Sequence, residues 1–214
     1  MIYVARHGET TWNRDGRYQG RLESPLSELG VRQAEALAAR FASPQLPVAL
    51  RPTRIVTSPL TRCTATANAT AIRLHLEPET DERLVEIAHG SWEGRYREDV
   101  ERTDVDRYRR WRDDPAHVAF DGGERLAEVA ARWRSFARDL NATAQVTLVV
   151  THDAVIRCAL LDAMQRPLDD FWHVRTENAA FAAFATGERS LTLVEACAVA
   201  HLNGLRADVT TQAL

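Results

Sequence analysis

The chain of 214 residues contains no lysine, since all 27 of its basic side chains are arginine. It therefore has no lysine to form a Schiff base with a carbonyl substrate or with pyridoxal phosphate. It also lacks the lysine of a nucleotide-binding P-loop and a lysine general base. Enzyme classes that depend on such a residue are excluded.

The sequence is also poor in features that indicate macromolecular or membrane partners. A formal net charge of -3 gives no reason to expect a nucleic acid or an anionic membrane surface. No stretch reaches the roughly 18 to 20 consecutive apolar residues that span a bilayer, and no signal-peptide pattern opens the sequence. We expect a cytoplasmic protein without a nucleic-acid or membrane partner.

Cysteine is scarce, and several catalytic motifs are missing. Cys63, Cys158 and Cys197 lie far apart among apolar neighbours, which is typical of buried free thiols. No cysteine is followed six residues later by arginine, so the thiolate phosphatase loop is absent. His-Glu-x-x-His and Gly-x-Ser-x-Gly are absent too, which disfavours zinc proteases and serine hydrolases.

Polar side chains follow three apolar runs at the point where each run ends. The first run stops at Arg6 and His7, and the most strand-like run, residues 146–151, stops at His152. Arg62 lies in the first turn after a short strand at residues 54–57. Because the carboxyl ends of parallel strands share one sheet edge, where open α/β sheets bind ligands, these four side chains are predicted to meet. Two arginines and two histidines there favour a phosphate group.

The remaining pattern predicts alternating helices and strands. Ser27 is predicted to cap a helix whose apolar stripe contains Val31, Ala34, Ala38 and Phe41. Ser58-Pro59 is predicted to open a helix from about Leu60 to Ile72.

Further along, a third short strand is predicted near Leu74, Leu76 and Pro78. Two closing strands are predicted at residues 179–185 and 191–199, and the last dozen residues look like a loose tail.

Residues 98–114 form an intensely charged segment, which is either a solvated helix or a lid over the sheet. Its position between core elements favours an insertion at about residues 90–121. The fold class expected is a three-layer α/β/α sandwich with a mostly parallel central sheet and a small helical insertion covering the site. We expect one domain over residues 1–214.

A set of short motifs resembles the signature of the histidine phosphatase superfamily, also called the phosphoglycerate mutase-like family. In chain order the motifs are Arg6-His7-Gly8-Glu9-Thr10, Trp12-Asn13, Gln19-Gly20, Ser24-Pro25-Leu26, Ser58-Pro59-Leu60-Thr61-Arg62, Glu86 with Gly90-Ser91-Trp92-Glu93-Gly94, Gly122-Gly123-Glu124 and Val149-Val150-Thr151-His152. The resemblance covers nearly the whole chain.

The resemblance implies a role for each matching residue. His7 would be the nucleophile that forms a phosphohistidine, and Arg6, Arg62 and His152 would bind the phosphoryl oxygens. Glu86 would protonate the leaving alkoxide and then take a proton from water.

Three further residues are assigned to substrate binding by their position in the motifs. Gln19 and Gly20 follow from the resemblance alone. Asn13 is a phosphate donor by the same argument, although a role as a loop-turn residue is equally compatible with its place.

The sequence departs from the family pattern at four positions. Asp153 stands where many members have glycine, and a carboxylate beside the pocket would oppose a phosphate dianion unless it points outward or pairs with an arginine. We expect it to point outward. His89 stands where an aromatic residue or asparagine is common. Glu23 replaces an aspartate, and Ala65 replaces a glutamine.

The function expected is that of a metal-independent phosphomonoesterase acting on a small phosphorylated metabolite, with no cofactor and no metal site. A mutase of the phosphoglycerate type and a catalytically inactive phosphate-binding module stay open as alternatives. The short separation between Glu86 and His152 favours the phosphatase. The sequence indicates neither the substrate nor the oligomeric state, and a homodimer stays open.

Overall fold

A computed structural model describes residues 1–141, 145–187 and 191–214. Its strands are β1 (Ile2–Arg6), β2 (Arg54–Thr57), β3 (Glu79–Thr80), β4 (Thr147–Thr151), β5 (Phe181–Thr186) and β6 (Leu191–Ala198). They form one sheet in the order β3-β2-β4-β1-β5-β6. The first four strands of this order run parallel, and β5 and β6 complete the sheet antiparallel. The predicted α/β fold with a mostly parallel sheet is confirmed.

Helices cover both faces of the sheet. They are α1 (Thr11–Arg14), α2 (Glu28–Ala42), α3 (Thr61–Leu74), α4 (Arg97–Thr103), α5 (Val105–Asp113), α6 (Leu126–Asn141) and α7 (Asp153–Ala163). Successive side chains of a strand point to opposite faces, so Ile2 and Val4 of β1 join the core beneath α6 and α7. Tyr3 and Ala5 join the second core, beneath α2 and α3. No helix among the described residues is both long and apolar enough to cross a membrane.

Helix α2 begins as predicted, because the Ser27 hydroxyl accepts a hydrogen bond from the Gly30 amide at 3.0 Å. Its apolar stripe differs at one position, since Val31 is 52% exposed and Leu37 is buried. Val31 lies at the rim of a stripe centred on Ala34. The amino end of α2 approaches the loop after β1 closely, because a Cβ on Gly30 would lie 1.9 Å from the Glu9 carbonyl oxygen.

Helix α3 begins at Thr61, next to the predicted Leu60, but the predicted cap at Ser58 is wrong. Leu60 occupies the N-cap and makes no side-chain cap, whereas the carboxylate of Glu23 accepts from the Thr61 amide at 3.1 Å. Ser58 instead places its Oγ 2.8 Å from Nε2 of His152. The negative charge of a carboxylate also interacts favourably with the positive amino end of the helix dipole. Glu23, in the loop before α2, therefore caps α3.

Helix α3 extends to Leu74 and ends at His75 in the left-handed conformation, with φ 55. The third strand therefore forms at Glu79–Thr80, after the predicted position. Leu74 and Leu76 pack against the core of α2 and α3, which explains why their apolar character resembled that of a strand.

Between β3 and α6 the chain forms α4, α5 and several 3₁₀ turns. Most charged side chains of this segment face solvent, while Val100 and Trp111 are fully buried in the core beneath α6 and α7. These two apolar anchors hold the charged helices against the body of the domain.

The prediction of a loose tail is wrong. Ala213 is 5% exposed, the Trp111 indole donates to the Leu214 carbonyl at 2.5 Å, and Arg97 donates to the Thr210 carbonyl at 2.7 Å. Backbone carbonyls of the tail accept these hydrogen bonds. A periodic pattern of apolar side chains could therefore not have indicated that the tail packs against the rest of the protein.

Candidate active site

The carboxyl ends of β1 and β4 create the site. Arg6 pairs with Thr151 in the parallel register, so His7 and His152 follow directly and their ring centroids lie 5.2 Å apart. Beside them is a pocket of about 10 Å³, which we call the strand-end pocket. Its lining residues are Arg6, His7, Asn13, Gln19, Gly20, Arg62, Glu86, His89, Ala213 and Leu214.

His7 is 2% exposed, and its Nδ1 lies 2.7 Å from the carbonyl oxygen of Gly8. A carbonyl can only accept, so Nδ1 carries the proton and Nε2 keeps its lone pair. Burial, then the charges of Arg62 and Arg6, hold the pKa of His7 well below its usual value. The ring is therefore neutral, and the hydrogen bond to Gly8 orients it with the Nε2 lone pair available.

Arg6 is 5% exposed and is held by two partners. One guanidinium nitrogen lies 3.2 Å from Asp153, and the other donates to Gln212 Oε1 at 2.9 Å.

The expected outward orientation of Asp153 is wrong. This carboxylate is 1% exposed and lies between Arg6 and Arg157, whose Nε donates to it at 2.6 Å. Burial acts to raise the pKa of Asp153, but the two guanidinium groups outweigh it and the pKa is lowered. The arginine pair therefore compensates the charge that was expected to oppose an anion.

Arg62 is 1% exposed and donates to the carbonyls of Gly20 and Leu22 at 2.7 and 2.9 Å. Its Nε donates to Nδ1 of His152 at 3.2 Å. This bond makes Nε2 of His152 the protonated nitrogen, which donates to Ser58 Oγ.

His152 itself is not among the residues that line the strand-end pocket. It lies behind the pocket, against His7, with both ring nitrogens engaged. Burial, followed by the charge of Arg62, keeps the pKa of His152 well below its usual value, so this ring is neutral as well.

Glu86 brings a carboxyl group to the pocket at the amino end of α7. Its Oε1 accepts from the amides of Ile87 and Ala154 at 2.9 and 3.2 Å. Burial, and after it the charge of Asp153, raises the pKa of Glu86 to about 7. A carboxyl group with this pKa can donate and accept a proton near neutral pH.

Asn13, Gln19 and Gly20 lie together on the opposite wall. Asn13 Oδ1 accepts from the Thr10 amide at 3.1 Å and completes a capping box with that residue, while Thr10 Oγ1 donates to Gln19 Oε1 at 2.9 Å. Gly20 adopts φ 51, a value that glycine reaches without strain. Asn13 thus has both a structural role and a place in the pocket wall.

In the sequence, His89 stood out only as a departure from the family pattern. His89 is 1% exposed, and both ring nitrogens lack a hydrogen-bond partner among the described residues. Burial lowers its pKa to about 3. A neutral, unpartnered imidazole in the pocket wall is available to a bound molecule.

The tail was also missed as part of the site. Gln212 joins Arg6 to Asn178, to which its Nε2 donates at 2.7 Å, and Ala213 and Leu214 line the pocket. The only signal in the sequence was the polar Gln212 in a segment without apolar period.

Metal-ligand side chains approach one another at a different place. In the part of the chain that the structure describes, the ligand atoms of Asp114, His117 and Asp169 lie within 4.8 Å of one another. His117 is exposed and hydrogen-bonded to Asp114 at 2.6 Å, and this bond raises the pKa of His117. We assign the cluster no role.

Comparisons with known proteins agree with this geometry. A family model described as the histidine phosphatase superfamily (branch 1) matches residues 2–198. Phosphoserine phosphatase 1 of Hydrogenobacter thermophilus is 35% identical over 206 residues, which cover 94% of this chain and 93% of the relative. Adenosylcobalamin/alpha-ribazole phosphatase of Escherichia coli is 27% identical over 194 residues, covering 90% and 93%.

A solved structure, that of Bacillus stearothermophilus YhfR, superposes on this chain with a TM-score of 0.86 at 27% identity. The superposition covers 94% of this chain and 98% of that one. Sequence and fold therefore match the same group of proteins along nearly their full length.

Proposed function

The chain belongs to the histidine phosphatase superfamily, and from this premise we propose that it hydrolyses a small phosphate monoester through a phosphohistidine at His7. One observation carries the proposal. The 2.7 Å contact between His7 Nδ1 and the Gly8 carbonyl leaves Nε2 as a neutral nucleophile inside an arginine-lined pocket.

In the first step, the Nε2 lone pair of His7 forms a bond to phosphorus while the ester P–O bond breaks. The departing alkoxide takes the proton of the Glu86 carboxyl group and leaves as an alcohol. In the second step, Glu86 takes a proton from a water molecule while the oxygen of that water bonds to phosphorus and the P–N bond breaks. Inorganic phosphate leaves, and His7 and Glu86 return to their initial states.

Arg6, Arg62, Asn13, Gln19 and the backbone of Gly20 surround the phosphoryl group in this proposal. Preorganised donors stabilise the charge that develops on its oxygens. The two guanidinium groups also oppose the binding of a cation, which supports a reaction without a metal ion.

His152 has a separate part in the proposal. It orients Arg62 through Nδ1, and a phosphoryl oxygen reaching its Nε2–H would replace Ser58 Oγ as the acceptor.

The relatives named as phosphoserine and alpha-ribazole phosphatases support a small phosphorylated metabolite as the substrate, and we place the reaction in the cytoplasm. The insertion at about residues 90–121 is short and leaves room for water to reach the phosphohistidine. This supports hydrolysis over transfer of the phosphoryl group to a second acceptor.

Phosphate release from a panel of phosphomonoesters in EDTA tests the proposal. Release by the wild type should survive EDTA and should be lost in His7→Ala, whereas His173→Ala, whose side chain is 71% exposed, should behave as the wild type. Acid-labile, base-stable phosphate trapped on the wild-type protein should be absent from His7→Ala.

Three results would contradict the proposal. EDTA-sensitive release would show a metal-dependent reaction, and undiminished release by His7→Ala would remove the nucleophile. Isomerisation of 3-phosphoglycerate without release would identify a mutase.

A further inference from the structure

A second and larger cavity lies beside the strand-end pocket. It measures about 440 Å³, and Arg6 and Leu214 line both spaces. Its wall also carries Arg97, Arg112 and Arg157, and among the lining side chains only Asp153 bears a carboxylate. We call this space the arginine cleft. Since Arg6 borders both spaces, a phosphoryl group held beside Arg6 would have its leaving group next to the cleft.

The four guanidinium groups differ in how far the protein already engages them. Arg6 and Arg157 share Asp153, and Arg157 also donates to the carbonyls of Phe171 and Val174. The protein therefore engages these two groups more fully than Arg97 and Arg112, although Nε of Arg6 has no hydrogen-bond partner among the described residues.

Arg97 and Arg112 keep most of their donors available. Arg97 spends one nitrogen on the Thr210 carbonyl. Arg112 stacks on Trp172, with its guanidinium carbon 4.5 Å from the ring centroid, and it makes no hydrogen bond or ion pair with the residues that the structure describes. Stacking orients the planar fork and leaves its in-plane N–H groups free for an anion.

Tyr18 gives an independent indication that the cleft is built for a ligand. The residue is 1% exposed and lines the cleft, yet its hydroxyl hydrogen-bonds to none of the described residues. Burial raises the pKa of Tyr18, while the charges of Arg112 and Arg97 both act against that rise and Glu101 adds to it. Both guanidinium groups therefore act on the space around this hydroxyl.

We propose that the arginine cleft holds the alcohol portion of the substrate and that Arg112, assisted by Arg97, binds a second anionic group on it, either a carboxylate or a phosphate. The proposal rests on the proposed phosphatase function and names its substrate class. A guanidinium fork matches both groups bidentately, and the cleft has room for a chain of several carbons between the two anions.

Three matched esters test the proposal: propyl phosphate, 3-(phosphonooxy)propanoate and propane-1,3-diol bisphosphate. Their dissociation constants are measured by calorimetry in the His7→Ala background, where turnover does not interfere. Adding Arg112→Gln should weaken binding of the two esters that carry a second anionic group by about 10-fold, the lower range for a charge-assisted bond. Propyl phosphate should change by less than about 2-fold.

Arg110→Gln provides the control, because Arg110 is exposed on the same helix and does not line the cleft. It removes the same charge and should leave all three constants unchanged. The carboxylate and bisphosphate arms decide which second anion is preferred.

The proposal would be overturned if Arg112→Gln weakened binding of all three esters equally, or if it did not weaken binding of the two esters with a second anionic group. The same effect from Arg110→Gln would also overturn it. These constants do not depend on hydrolysis. Failure of the phosphatase proposal would instead appear as missing or His7-independent phosphate release by the wild type.

Discussion

The strand-end pocket and the arginine cleft are adjacent, but they differ in how firmly the protein holds their polar side chains. In the pocket, the Gly8 carbonyl orients His7, two backbone amides orient Glu86, and two backbone carbonyls hold Arg62. In the cleft, Arg112 is exposed and rests on one aromatic ring. Bond-making requires groups held within a fraction of an ångström, whereas a second anion can be recognised by a side chain that the protein holds through fewer contacts. In our proposal, the pocket carries out the reaction and the cleft selects the substrate.

Replacing Glu86 tests the pocket with the largest expected effect. Glu86→Gln should lower kcat by about 10² to 10⁴, because a positioned acid and base typically contributes that factor. Binding of inorganic phosphate, measured as competitive inhibition, should persist. The matched control is Glu82→Gln, since Glu82 is exposed and close in sequence. An unchanged kcat in Glu86→Gln would remove this residue from the mechanism.

Asp153 connects the two regions, since it binds Arg6 of the pocket and Arg157 of the cleft wall. Asp153→Asn should lower the free energy of unfolding by about 3 kcal/mol, because it leaves two arginines without their carboxylate. Chemical denaturation monitored by tryptophan fluorescence measures this loss. Stability equal to that of the wild type would show that solvent already screens the pair.

The same variant should move the pH dependence of catalysis. Glu86 must be protonated to act as the acid, so kcat of the wild type should fall as pH rises through about 7. Removing the Asp153 charge favours ionised Glu86, lowers its pKa and shifts this descending limb to lower pH. A limb that stays in place, or moves to higher pH, would contradict the coupling.

Gln212 stands between the two regions, and its replacement should have the smallest effect. The strand-end pocket holds about 10 Å³, which is room for roughly one water molecule, so the tail must shift for an ester to enter. Gln212→Ala removes the bonds to Arg6 and Asn178 and should accelerate binding of orthovanadate by about 5-fold, the equivalent of one hydrogen bond.

Deuterium uptake of residues 209–214 should rise in the same variant. Thr211→Ala is the control, since the one side-chain hydrogen bond that Thr211 makes with the described residues stays within the tail, to the Asp208 carbonyl. Unchanged uptake and binding rate in Gln212→Ala would show that Gln212 does not hold the tail closed.

The parts of the fold predicted correctly are those with a local signal. The apolar run of β4 ends at His152, and Ala34, Ala38 and Phe41 of α2 are buried as their period predicted. Periodicity reports which face of an element is buried, because burial repeats with the geometry of the element.

The wrong predictions concern side chains whose partners are distant in sequence. Ser58 had the composition of a helix cap, but its hydroxyl bonds to His152, 94 residues away. Asp153 was expected to avoid an anion site, yet it lies between two arginines, of which Arg6 is far away along the chain. Local propensity cannot choose between a neighbouring amide and a remote guanidinium, because both satisfy the same oxygen.

The sequence by itself determined the family and the reaction expected of it, because the residues assigned to the chemistry occur in short motifs at the ends of strands. It also indicated the parallel sheet that brings these motifs together. Only the tertiary structure decided that the tail lines the pocket, that His89 lies in its wall with no hydrogen-bond partner among the described residues, and that Arg112 borders a cleft shared with Arg6. The residue types of a motif lie within a few positions of one another in the sequence, whereas a cavity exists only between segments that folding brings together.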